Sequence, residues 1–379
     1  MKTDTLSQRI EAVIELLKDS YAFLFRAASK SGHWNEIRCT ALAAMCLELR
    51  EDGSSRWLNA IKTWMESEQS TEVCGSWGEE IWDSAMCIIA LKDLGVTSND
   101  PIVDKGLTWI ASLFSVNGRN NWHDEPWETS WALIAFLKAG RIPENVDAAA
   151  AMKWLSSLQD KSGKIIAPHY TAYFLLINHF SERKINLSDE IRKELEDTAQ
   201  KCQNYLVKSL RESDPNHLWT GEAWANGQIL WSLCLPGRFP VADDKLILKT
   251  ISWFEENQKT DGNWSDIEDT ASAILGLAAL SKNLLKYEAK QLKIHRDINR
   301  EFENRLRKAV PVPFLNIKKR FFEREKETGY FVINVKESTA KYLGGTVGVL
   351  GVVASMIQIY TPLRTAVQLG WQAVRSHIK

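Results

Sequence analysis

The chain of 379 residues is 45% hydrophobic and 25% charged, an ordinary globular composition with room for one large domain and an appendage. Residues 1–281 hold 28 Lys and Arg against 40 Asp and Glu, whereas residues 282–341 hold 16 against 8. The acidic body argues against a nucleic acid as its partner, and the basic segment favours an anionic surface. The N-terminus is polar and carries an acid, unlike a secretory signal.

Six segments of residues 1–281 share one pattern, in which an amphipathic helix and a polar loop precede a helix that is apolar almost all round. The loop residues recur at intervals of 43 to 53 residues and are Trp34, Trp77, Trp122, Ile166, Trp219 and Trp264. An apolar helix must be buried, whereas the amphipathic helix before it lies outside. Six hairpins that cannot bury their apolar helices alone predict an all-α fold, an (α/α)6 toroid of two concentric rings over residues 1–281.

Aromatic residues stand at the predicted starts of several inner helices. Trp82, Trp127 and Trp224 follow their loop tryptophans by five positions, and His169 and Tyr170 take this place in the irregular fourth repeat. The pattern places these side chains at the rim of a central cavity, where aromatic faces bind apolar or cationic ligands. The alternative is that they fill the ring, and the sequence leaves both interpretations open.

Two further patterns resemble a known family. The segment WFEENQKTDGNW (Trp253 to Trp264) is similar to the glutamine–tryptophan repeat of squalene–hopene and oxidosqualene cyclases. The segments IWDSA and PWETS resemble the starts of the inner helices in those enzymes. The resemblance is to the α/α toroid superfamily of terpenoid cyclases and protein prenyltransferases, and it implies the fold more strongly than the function, because one toroid hosts many activities.

A cluster of carboxyl groups lies at the sixth predicted inner helix. The sequence Asp266-Ile-Glu268-Asp269-Thr-Ala resembles the Asp-x-Asp-Asp-Thr-Ala motif of class II terpene cyclases, and the resemblance implies that Glu268 occupies the proton donor's position. Neighbouring carboxylates raise a pKa and keep a proton available. Alternatively, Asp269-Thr-Ala is only the repeat pattern, seen also at Asp83-Ser-Ala, and its carboxylate caps the helix.

The resemblance to protein prenyltransferases implies a zinc site with an Asp-x-Cys pair and a distant histidine. Residues 1–281 contain no Asp-x-Cys pair, and the histidines show no ligand spacing with the cysteines. We therefore predict no metal and no cofactor.

The remaining residues predict a membrane attachment. We expect a basic helical linker over 282–337 and a candidate transmembrane helix with a short tail over 338–379. Residues 342–363 carry no charge, and a helix of this length, at ~1.5 Å per residue, crosses a ~30 Å hydrocarbon core. One face carries only small residues, which favours helix pairing and a homo-oligomer: Gly344, Gly348, Gly351 and Ser355. The basic residues before the span place the toroid in the cytoplasm. The alternative is a helix packed on the toroid.

Two functional hypotheses follow from these patterns. In the first, a membrane-anchored, non-catalytic toroid recognises an apolar ligand or a protein partner, and the C-terminal segment is an oligomerising anchor or effector, by analogy with membrane effectors of bacterial antiviral defence. In the second, the chain is a class II isoprenoid cyclase with Asp266, Glu268 and Asp269 as the acid group. The glutamate in the donor's position and the single helical domain favour the first hypothesis.

Overall fold

The computed structural model describes residues 6–29, 33–34, 36–49, 55–70, 75–115, 119–181, 187–214, 217–291, 322–324 and 331–333. These residues form twelve α-helices and four short β-strands. The helices are α1 (Leu6–Ala27), α2 (Ile37–Glu48), α3 (Ser55–Glu68), α4 (Ile81–Asp93), α5 (Pro101–Ser112), α6 (Pro126–Ala139), α7 (Ala148–Ser157), α8 (Pro168–Ser181), α9 (Asp189–Glu212), α10 (Ala223–Cys234), α11 (Asp244–Asn257) and α12 (Ile267–Gln291). The strands β1 (Phe114–Ser115) and β2 (Asn121–Trp122) pair antiparallel, as do β3 (Phe322–Arg324) and β4 (Phe331–Ile333).

The even-numbered helices form the inner ring that the sequence predicts. Each packs on the next, from α2 through α4, α6, α8 and α10 to α12, and α12 packs back on α2. Most side chains of these helices are buried, in keeping with their apolar character. Helix α1 packs on both α11 and α12, which joins the first hairpin to the last. The predicted all-α architecture is therefore confirmed, and the described hairpins close into a ring.

One hydrogen-bond pattern fixes each hairpin. The main-chain N–H of the loop residue donates to the side-chain oxygen of the fourth residue of the inner helix. These pairs are Trp34 to Thr40 (2.9 Å), Trp77 to Ser84 (2.8 Å), Trp122 to Thr129 (3.1 Å), Ile165 to Thr171 (2.8 Å), Trp219 to Asn226 (3.3 Å) and Trp264 to Thr270 (3.4 Å). Each of the five indole N–H groups donates to a main-chain carbonyl of the outer helix, at Leu24, Met65, Ile110, Leu206 and Phe254. Each loop tryptophan thus forms hydrogen bonds to both helices of its hairpin.

In the fourth repeat this pattern corrects the sequence interpretation. Ile165, not Ile166, takes the place of the loop tryptophan, because Ile165 is buried and its N–H binds Thr171. Ile166 is 51% exposed and has a φ of 53°. Ile165 and Ile166 follow Trp122 by 43 and 44 residues, and both intervals agree with those of the other repeats, so the repeat interval alone does not distinguish the two isoleucines.

A glutamine at the end of every second outer helix joins neighbouring hairpins. Each amide donates to the carbonyl of a loop glycine and to a carbonyl of the next outer helix. The contacts run from Gln69 to Gly75 (2.9 Å) and Ile102 (2.8 Å), from Gln159 to Gly163 (3.2 Å) and Thr198 (3.1 Å), and from Gln258 to Gly262 (3.2 Å) and Leu16 (3.1 Å). Gly262 has a φ of 91° and lies against the main chain of Asp19, where a side chain has no room. Because Leu16 and Asp19 belong to α1, the last of these contacts closes the outer ring.

The segment after the sixth hairpin differs from the prediction. The chain divides into two compact units, Met1–Pro311 and Val312–Lys379. Helix α12 continues to Gln291, but β3 and β4 lie within the segment predicted as a helical linker, so that prediction is wrong at these residues. The aromatic and β-branched residues of Phe331–Ile333 favour a strand over a helix. Residues 342–363, with Gly344, Gly348, Gly351 and Ser355, lie outside the described residues. Among the helices that are described, none has the length and apolar character of a membrane span.

Removal of the closing glutamine contact tests the ring. We expect Gln258→Ala to lower the free energy of unfolding by about 1–3 kcal/mol. The side-chain amide of Gln258 also donates to Ser20, and the substitution leaves these buried acceptors without that donor. The control is Gln200→Ala on the exposed face of α9, which we expect to change stability by less than about 0.5 kcal/mol. Chemical denaturation measures both variants, and equal effects would contradict the closure.

Candidate functional site

The second residues of the six inner helices come together at one end of the ring. Because every inner helix follows a loop of the same kind, all six begin at this end. We call these residues the mouth ring: Arg38, Trp82, Trp127, His169, Trp224 and Glu268. The common starting level of the inner helices brings together four of the five aromatic residues predicted to bind a ligand. It places them with Glu268, one of the three predicted acids.

Aromatic contacts link one half of the mouth ring. The ring centroids of Trp82 and Trp127 are 4.8 Å apart at an interplanar angle of 80°, those of Trp127 and His169 are 5.9 Å apart, and those of His169 and Trp224 are 5.3 Å apart. Trp127 also contacts Tyr170 at 6.1 Å and, across the ring, Trp224 at 5.9 Å. Edge-to-face pairs of this kind stabilise one another beyond their buried area. The predicted ligand-binding side chains therefore pack on each other at the mouth.

Charged groups complete the other half. The Arg38 Nε atom lies 3.1 Å from Glu268 Oε2, and the guanidinium carbon lies 5.1 Å from the centre of the Trp82 ring. A cation over an indole face is attracted by the ring's quadrupole. Arg38 comes from the first inner helix and Glu268 from the last, so their ion pair spans the seam of the toroid. Sequence reasoning missed Arg38 because only ring closure brings it beside Glu268.

A second layer lies one helical turn deeper and was also missed from the sequence. It consists of the sixth residues of the inner helices, Leu42, Met86, Trp131, Tyr173, Gln228 and Ser272, all buried. The Tyr173 hydroxyl donates to Gln228 Oε1, and Gln228 Nε2 donates to Ser272 Oγ at 3.3 Å. The rings of Trp131 and Tyr173 lie 4.9 Å apart. The available signal was the presence of Gln and Ser at equivalent positions of otherwise apolar helices.

The three predicted acids have three different partners. Asp266 Oδ1 accepts the main-chain N–H of Asp269 at 2.9 Å and so caps α12. Asp269 Oδ1 accepts the N–H of Trp224 at 2.6 Å and joins α10 to α12. Glu268 alone belongs to the mouth ring. The capping role that the alternative interpretation gave to Asp269 therefore belongs to Asp266, since a side chain reaches the N–H three residues ahead of it.

Burial controls the ionisation of this site. Burial raises the pKa of Glu268 to about 7, with Arg38 acting in the opposite direction and the Asp266 and Asp269 carboxylates adding to the rise. Burial likewise raises the pKa of Asp83 to about 6 against the attraction of Arg38. Burial lowers the pKa of His169 to about 4, so this imidazole is neutral at physiological pH. The mouth therefore holds carboxyl groups that titrate near neutrality around one guanidinium.

The closed inner ring and the mouth at its helix starts define a terpenoid-cyclase-like α-helical toroid. The solved structures similar to it include type II terpene cyclase MstE from Scytonema, with a TM-score of 0.53, 14% sequence identity, and coverage of 72% of this chain and 99% of that chain. A variant of MstE in complex with its substrate, geranylgeranyl dihydroxybenzoate, gives a TM-score of 0.53, 13% identity, and coverage of 73% and 99%. No protein-family model matches the amino-acid sequence, and no curated protein matches it. At this level of identity the similarity establishes the fold.

The raised pKa of Glu268 predicts a pH-dependent difference between wild type and Glu268→Gln. Because the folded-state pKa lies above the ordinary value of a glutamate, folding favours the protonated form, and wild-type stability falls as pH rises through about 7. The neutral amide avoids this loss. We therefore expect the variant to gain stability relative to wild type on going from about pH 4 to about pH 8, measured by urea denaturation.

The control for this measurement is Glu255→Gln on the exposed face of α11. Its unfolding free energy should follow the wild-type pH profile. A Glu268→Gln profile parallel to wild type would show that the buried carboxyl has no such effect.

Proposed function

We propose that this chain is a non-catalytic recognition protein whose toroid binds a protein partner or an apolar ligand at the mouth ring. The observation that supports this proposal is the packing of the mouth. Trp127 lies against aromatic rings from α4, α8 and α10, and beneath it lies the hydrogen-bonded layer of Tyr173, Gln228 and Ser272. A cyclase must instead enclose a flexible isoprenoid chain beside its acid.

The state of Glu268 supports the same proposal. Its carboxylate pairs with Arg38 on one side, and Trp82 lies under that guanidinium. We therefore assign the pair a structural role at the seam of the ring.

The proposal includes a membrane attachment through the C-terminal segment. Residues 342–363 are uncharged and follow a basic stretch. At helical periodicity Gly344, Gly348, Gly351 and Ser355 would share one face. We propose that this segment anchors the chain, keeps the toroid on the cytoplasmic side and forms a homo-oligomer. An anchored oligomer with a recognition domain suits a membrane effector, by analogy with those of antiviral defence.

A class II terpene cyclase is the second candidate. The Asp266-Ile-Glu268-Asp269 segment lies at the start of α12, with Glu268 in the mouth, and burial raises the pKa of this carboxyl. The solved structures similar to this chain include type II terpene cyclase MstE, in one case with geranylgeranyl dihydroxybenzoate as its substrate. In this candidate function Glu268 donates the proton to the isoprenoid substrate, and Asp269 assists Glu268.

A product assay separates the two candidates. Purified chain is incubated with geranylgeranyl dihydroxybenzoate, MstE serves as the positive control, and products are resolved by mass spectrometry and chromatography. We expect no cyclised product from the wild type. A cyclised product that disappears in Glu268→Gln, with the fold retained, would establish the cyclase instead.

Deletion of residues 338–379 tests the attachment. We expect the full chain to sediment with membranes until detergent is added, and the truncated chain to remain in the supernatant, because the deletion removes the uncharged segment. Thermal unfolding of the truncated chain serves as the control for an intact toroid. Recovery of the full chain without detergent would contradict the proposed anchor.

A further inference from the structure

An acidic collar surrounds the mouth ring. Glutamate occupies the N-cap position of four inner helices, as Glu36, Glu80, Glu125 and Glu222, and all four are exposed. In the described structure none of these side chains makes a capping hydrogen bond. Serine, threonine, aspartate and asparagine are the residues that cap helices well. Capping therefore does not explain the collar.

The helix dipoles do not explain it either. An acid in the first turn already stabilises the positive end of a helix. Helix α4 has Asp83 in its first turn and α6 has Glu128, and each also carries a collar glutamate before it. The collar thus concentrates more negative charge at this end of the toroid than its helix termini require.

Aromatic faces lie inside the collar. Trp127, Trp224 and Tyr170 are half-buried, so part of each side chain is accessible at the mouth. Aromatic faces attract cations, and the guanidinium of Arg38 over Trp82 already shows this attraction within the same site. Carboxylates around partly exposed indole rings favour the binding of lysine and arginine side chains.

Trp82 and Asp83 each have a buried polar atom without a hydrogen-bond partner in the described part of the chain. Trp82 is 8% exposed, and its Nε1 has no hydrogen-bond acceptor in the described part of the chain. Asp83 Oδ1, on the next residue, is buried and has no donor there. Buried polar groups in proteins are normally paired, and leaving one without a partner is unfavourable. A peptide offers both missing groups, a carbonyl for the indole and an N–H for the carboxylate.

We propose that the mouth ring and its acidic collar bind a basic segment of a partner protein, with lysine or arginine side chains held by Glu80, Glu125 and Glu222 of the collar and by Trp127 and Trp224. The fourth collar glutamate, Glu36, is already paired with Arg38 at 3.0 Å. The partner's main chain supplies the acceptor for Trp82 Nε1 and the donor for Asp83 Oδ1. This inference rests on the proposed recognition function and specifies the chemistry of the partner. Charge attraction steers its encounter, so binding weakens as salt is added.

The test uses the full chain in detergent and two synthetic peptides with blocked ends. One is rich in lysine and phenylalanine, and in the other every lysine is replaced by glutamate. Calorimetry measures the binding of each peptide. We expect the wild type to bind the basic peptide in a salt-dependent manner and not to bind the acidic one.

Matched variants locate the binding site. Glu80→Gln/Glu125→Gln/Glu222→Gln should weaken binding of the basic peptide about tenfold, since each charge pair at a surface contributes a fraction of a kcal/mol. The control Glu190→Gln/Glu194→Gln/Asp197→Asn removes the same charge from exposed positions on α9 and should change binding by less than about twofold. Trp82→Phe keeps the aromatic face, removes the N–H and should weaken binding several-fold, with unfolding curves reporting the fold of each variant.

Equal binding of both peptides, equal losses in the collar and control variants, or full affinity in Trp82→Phe would each overturn the inference. Saturable binding of tetramethylammonium with no uptake of the basic peptide would assign the site to a small cation and overturn it as well. The product assay is independent of these measurements. A cyclised product refutes the recognition function, whereas a failure to bind the basic peptide refutes only the identity of the partner.

Discussion

The hydrogen bond between the loop residue and the fourth residue of each inner helix is the constraint on which the rest of the structure depends. It recurs in all six described hairpins, from Trp34 and Thr40 to Trp264 and Thr270. Where the loop residue is tryptophan, its indole also binds the outer helix, so one residue sets the position of both helices. Because the constraint is repeated, all inner helices begin at the same level. Their second residues then form one ring and their sixth residues the layer beneath it.

This register separates the scaffold from the site. The fourth positions carry Thr, Ser or Asn in every hairpin, because each needs a side-chain oxygen at the same place. The second positions are not under this requirement, and their residues differ in chemistry: Arg38, Trp82, Trp127, His169, Trp224 and Glu268. Function on a toroid of this kind is carried by the residues that the scaffold leaves free.

The sequence predicted what repeats and missed what does not. The apolar helices, the loop tryptophans and the inner-helix aromatics follow one period, so the ring and most of its mouth were predicted from spacing. The fourth loop residue was wrong by one position, because Ile165 and Ile166 are chemically alike and only the bond to Thr171 distinguishes them. The pair of Arg38 with Glu268 joins opposite ends of the toroid sequence, so it follows only from closure. The strands β3 and β4 lie where no repeat guided the prediction.

Several exceptions to good local chemistry lie together at the mouth of the toroid. The glutamine contacts between outer helices are fully satisfied, and the loops follow one pattern. The mouth instead combines glutamates at N-cap positions, carboxyl groups whose ionisation is opposed by burial, and the unpartnered atoms of Trp82 and Asp83. Buried carboxyl groups and unpartnered polar atoms lower stability, and the hydrogen-bond pattern of the hairpins does not require them. Natural sequences depart from local rules mainly where a function requires it, so these departures favour the mouth as the functional end that we propose for the toroid.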